Sequence, residues 1–68
     1  MTVQEVYTAI RRSNEAKCYT MVYFINNNKM PEAVSRIQRC FECNEETAAE
    51  AARMIKMDLE KAKSKNKL

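Results

Sequence analysis

Residues 17–28 read KCYTMVYFINNN, and the fold turns on how they are read. From Cys18 to Ile25 the chain is mostly apolar, aromatic and β-branched, and it then stops at three consecutive asparagines. Tyr, Thr, Val, Phe and Ile give up less side-chain freedom in an extended chain than in a helix, so residue type favours a β-strand over 18–25. The alternation is less decisive. One strand face would carry Cys18, Thr20, Val22 and Phe24 and the other Tyr19, Met21, Tyr23 and Ile25, so both are largely apolar and both want cover. A helix starting after Ser13 would also bury this run, and it stands as the competing assignment.

On either side of the run the periodicity is helical. Thr2-Val3-Gln4-Glu5 has the form of a capping box, in which the threonine hydroxyl and the glutamate carboxylate satisfy amides that a first helical turn leaves free. Val3, Val6, Tyr7 and Ile10 then recur at helical spacing until Arg12-Ser13-Asn14 breaks the pattern. Beyond the asparagines, which suit a turn, Pro31 fits the first turn of a second helix because its missing N–H costs nothing there. The inner face of that helix is read as Ala33, Val34, Ile37, Cys40 and Phe41. Asn44 is a good N-cap for a last helix, with Glu45 and Glu46 where negative charge is favoured and Ala48, Ala51, Ala52, Ile55 and Leu59 as its inner stripe.

The order is therefore helix, strand, helix, helix: a mainly α, small α+β domain over 1–60, followed by a lysine-rich tail over 61–68. The rest of the chain offers no second strand, so the lone strand is expected to pair with its counterpart in a second copy, giving a homodimer. The alternative is an all-α four-helix domain. A chain of 68 residues lies near the size at which one hydrophobic core is barely sufficient, which also favours a partner.

Composition narrows the function classes. The chain has no glycine and one proline, unlike small β barrels that need glycine at tight turns. No segment approaches the roughly 20 apolar residues that span a bilayer, and Met1–Ile10 lacks a signal-peptide pattern. Three cysteines without an export signal fit reduced thiols, so a cytoplasmic location with no membrane association is expected. The net charge is +3, but Lys61, Lys63, Lys65 and Lys67 supply four of the twelve positive charges. The basicity thus belongs to a terminus, where a frayed helix end is the ordinary explanation and phosphate contact the other.

Few residues carry chemistry. Cys40-Phe41-Glu42-Cys43 matches a redox or metal pattern, yet the cysteines close a helix at its negative end, where a thiolate is disfavoured. A closed zinc site needs four ligands, and the chain has no histidine and only one further thiol, Cys18. The cysteines are accordingly read as buried or half-buried thiols, with no metal and no cofactor. With no histidine as general base and no serine or cysteine with an evident activating partner, no enzymatic activity is expected.

Two family resemblances bear on these segments. YTMVYFINNNKMP, QRCF and EETAAEAARMI, between Tyr19 and Ile55, resemble the first part of the ClpS-type protease adaptor fold. That resemblance implies a strand, a turn, a proline-started helix and a second helix. It also implies a turn that holds the amino terminus of a degradation substrate; the corresponding residues here are Asn26, Asn27 and Asn28, which carry no charge. The order of strand, helix, helix also resembles a ribbon-helix-helix DNA-binding protein, in which strands from two chains form a ribbon that enters the major groove. On that resemblance Thr20 is the one polar residue placed to read base edges.

The functional expectation is a small non-enzymatic protein that recruits or inhibits a protein partner through an apolar and aromatic surface, with Tyr19, Met21, Tyr23 and Phe24 as anchors. The alternative is a small dimeric DNA-binding regulator of ribbon-helix-helix type, with Arg36, Arg39, Lys61, Lys63 and Lys65 on phosphates.

Overall fold

Residues 18–25 are helical. The computed structural model describes residues 1–65, with side chains through Lys63, and contains four helices: α1 (Val3–Arg12), α2 (Ala16–Asn26), α3 (Met30–Phe41) and α4 (Glu45–Lys65). No strand occurs among the described residues. The α+β expectation, with a lone strand pairing across a dimer, is thereby corrected, and the all-α four-helix alternative is the one that fits. The strand that both family resemblances imply is a helix here.

Two physical effects outweigh the strand propensity of the run. Every buried backbone amide needs a partner, and a helix supplies partners within its own segment, whereas a lone strand supplies none. The core-facing residues of α2 are Cys18, Met21 and Ile25, which recur at the spacing of one helical face. Propensity is a weak prior that such tertiary burial overrides.

The helix ends are built by local chemistry. Thr2 and Glu5 form a complete capping box on α1: the Glu5 amide donates to Thr2 Oγ1 at 3.2 Å and the Thr2 amide donates to Glu5 Oε1 at 2.9 Å. The three asparagines close α2. Asn28 takes a left-handed φ of 61°, the Lys29 amide donates to the Phe24 carbonyl at 2.8 Å, and the Asn28 amide donates to the Ile25 carbonyl at 3.3 Å. These are the two bonds of a Schellman motif, with asparagine in the place usually given to glycine. Pro31 lies in the first turn of α3, which ends at Glu42 with φ 48°. Asn44 Oδ1 accepts from the Thr47 amide at 2.8 Å and so caps α4.

At 21 residues, α4 is about twice the length of the others and packs against all three of them. The core comprises Val6 and Ile10 from α1, Cys18, Met21 and Ile25 from α2, Ala33 and Ile37 from α3, and Ala48, Ala51, Ala52 and Ile55 from α4. The three alanines, fully buried, leave room for close approach of neighbouring helices. A polar link joins α1 to α4, where the Tyr7 hydroxyl donates to Asp58 Oδ2. This bond holds the tyrosine proton and raises its pKa. The stretch of the expected tail that is described, 61–65, continues α4, while 66–68, including Lys67, lies outside the described residues.

Candidate functional site

The outer face of α2 carries the aromatic residues that the core does not take. Tyr19 and Tyr23 are four residues apart, so they lie one turn from each other on the same face, and they are 59% and 58% exposed. The Tyr19 hydroxyl donates to Asn14 Oδ1 at 3.4 Å, which ties the ring to the α1–α2 connection. The Tyr23 ring packs against Phe24, with centroids 5.9 Å apart and planes tilted by 58°. Phe24 is half-buried, and the Arg36 guanidinium lies 5.5 Å from its ring centroid, in reach of a cation–π attraction.

Three of the four expected anchors thus share a surface, and the fourth does not. Met21 is fully buried between the helices and belongs to the core. Its separation from Tyr19 and Tyr23 follows from the helical period, since residues two apart face in different directions on a helix and in the same direction on a strand.

Next to Phe24, a groove of about 440 Å³ runs along α3, lined by Pro31, Glu32, Ser35, Arg36, Arg39 and Cys40. Arg36 and Arg39 therefore lie together beside the aromatic face. The expected phosphate-contacting set does not gather as one patch, however. Lys61 and Lys63 are exposed on the far part of α4, where Lys63 borders a cleft with Ile25, Asn26, Asn28, Lys56 and Leu59. The short connection from Phe41 to Glu45 makes α3 and α4 antiparallel, which places Arg39 and the α4 lysines toward opposite ends of the molecule. The side chain of Lys65 lies outside the described residues.

The thiols differ from the sequence expectation. Cys18 is buried and Cys43 half-buried, but Cys40 is exposed at the rim of the groove. Cys40 lies three residues beyond Ile37 in the last turn of α3, where Phe41 packs against the core and Cys40 is left exposed. Among the described residues no three His, Cys, Asp or Glu side chains converge to hold a metal ion, and no helix is long and apolar enough to cross a membrane.

A second groove escaped the sequence reading. It lies between α3 and α4, holds about 650 Å³, and is lined by Met30, Pro31, Val34, Ala49, Arg53 and Lys56 among others. Val34 reads as an ordinary inner-face residue in the sequence and Ala49 lies outside the inner stripe, and only the packing of the two helices shows that each is half-exposed along a shared furrow. Comparison with protein-family models, with curated proteins and with solved structures gives no match to this chain.

Proposed function

We propose that this chain is a small non-enzymatic interaction protein that recruits or inhibits a protein partner through the outer face of α2. The observation that carries the reading is the pair Tyr19 and Tyr23, two large aromatic side chains held one turn apart on a rigid helix and left more than half exposed. Tyrosine is enriched among residues that dominate binding energy, because it presents a large contact area at small entropic cost. Phe24 and the arginine stacked on it extend the surface sideways. The absence of histidine from the chain removes the usual general base and favours binding over catalysis.

The reason for expecting a second copy on this segment was an unpaired strand, and α2 satisfies its own backbone. The aromatic face is accordingly assigned to a different protein. The test is crosslinking and co-purification from the native cell with the wild-type chain and with the double variant Tyr19→Ala/Tyr23→Ala. A protein retained by the wild type and lost by the variant is the expected result. Identical proteins retained by both would overturn the reading, as would self-association of the purified chain that Tyr23→Lys abolishes, since that would assign the face to a second copy. Retention of duplex DNA that falls steeply with salt and does not depend on the tyrosines would favour a nucleic-acid partner instead.

A further inference from the structure

The geometry points to a second docking surface, independent of the α2 face: the groove between α3 and α4 accepts an amphipathic helix of a partner protein, lying parallel to α4, with carboxylates in its last turn. The furrow follows α4 from Glu45 to Lys56, a length of about 17 Å or three helical turns. Met30, Val34 and Ala49 line it with apolar surface. Such a lining suits the apolar stripe of one more helix, the helix-in-groove mode of recognition.

Charge sets the direction of the occupant. One end of the furrow carries Glu45, and the other carries Arg53 and Lys56, neither of which has a carboxylate within ion-pair distance among the described residues. Arg53 lies along its own helix, its Nε–H donating to the Ala49 carbonyl at 3.4 Å, so its charge sits against the furrow. A docked helix has a positive N-terminus and a negative C-terminus. Parallel to α4, it places its N-terminus at Glu45 and its C-terminus at Arg53 and Lys56; antiparallel, both ends meet like charge. Acidic residues in the last turn add to the same preference.

The same argument selects a different protein over a second copy. The last turns of α1 and α3 carry Arg11, Arg12 and Arg39, that of α2 carries no charged residue, and α4 continues into lysines, so no helix of this chain ends in the acidic last turn that the groove favours.

The probes are two side-chain-stapled peptides of about four turns with one leucine stripe, one with two glutamates in its last turn and the other with them in its first; stapling makes both helical when free. Fluorescence anisotropy with the whole chain is expected to show the C-terminally acidic peptide binding about fivefold tighter. Arg53→Glu/Lys56→Glu should reverse that order, Ala49→Trp should abolish binding of both while circular dichroism stays unchanged, and Tyr19→Ala/Tyr23→Ala should bind as the wild type does. Failure of both peptides to bind would overturn the proposal. So would an order of affinities that the charge reversal leaves untouched, or binding that survives Ala49→Trp and is lost with the tyrosines. Self-association of the free chain that Ala49→Trp removes would assign the groove to a second copy and overturn it equally.

Discussion

Met21 and Tyr23 stand two positions apart and have opposite fates, one fully buried and the other 58% exposed. Their substitution effects should diverge accordingly. Met21→Ala removes a long side chain from a core it shares with Ile25, Ile37 and Ile55, and is expected to cost about 3 kcal/mol, a large share of the stability of so small a domain. Tyr23→Ala should change stability by no more than about 0.5 kcal/mol while weakening partner binding. Urea unfolding of the two variants checks this; equal losses would mean that α2 is rotated from the orientation described. The same contrast explains how much of the site was legible. That 18–25 holds an aromatic surface follows from composition, but which of its residues reach that surface depends on a period of 3.6 or of 2.

At the scale of the element, α1 depends on an exposed device of side chain and backbone. Hydrogen bonds from the Thr2 amide and then the Thr2 hydroxyl lower the pKa of Glu5 below the ordinary glutamate range. A carboxyl depressed in the folded state adds stability that is present above its unfolded pKa and is lost as pH falls through the folded value. The advantage of the wild type over Glu5→Gln should therefore be full near neutral pH and shrink as pH falls below the ordinary glutamate range. Thermal unfolding of both chains across that window tests the point, and an advantage that persists unchanged into strong acid would contradict it. The caps of α1 and α4 were readable because each is a short-range contact between a side chain and an amide three residues on. The closing turn of α2 was readable only as a turn. That the helix runs on into Asn26, leaving Asn28 in the left-handed region, depends on what precedes it.

For the whole molecule, the question is whether one copy closes its own core. The buried side chains described here come from all four helices of a single chain, and none of them is polar. The radius of gyration of 11.5 Å is close to the value of about 11 Å for a folded globule of this length. The unfolding midpoint is therefore expected to stay constant on dilution, because a midpoint that depends on concentration arises where the folded chain is stabilised by association. Circular dichroism melts over a wide concentration range measure this, and a midpoint that falls on dilution would show that a second copy stabilises the fold. The size of the chain had suggested the opposite. The close approach allowed by Ala48, Ala51 and Ala52, together with an α4 long enough to back three helices, gives so short a chain one core of eleven buried residues, while Tyr19, Tyr23 and Met57 stay more than half exposed.

By itself, the sequence determined where α1, α3 and α4 begin, because caps and a proline in the first turn act within a few residues of where they are written, whereas α4 runs on to Lys65 through the stretch read as a tail. It also determined that the segment around Tyr19 and Tyr23 would carry more aromatic surface than its neighbours. The tertiary structure decided that 18–25 is a helix, that Met21 faces in while the tyrosines face out, and that α3 and α4 leave a furrow between them. The reason is the same in each case. Two local conformations could hide comparable amounts of apolar surface, and the choice rested on a helix satisfying its own backbone and on packing faces supplied by residues distant in the chain.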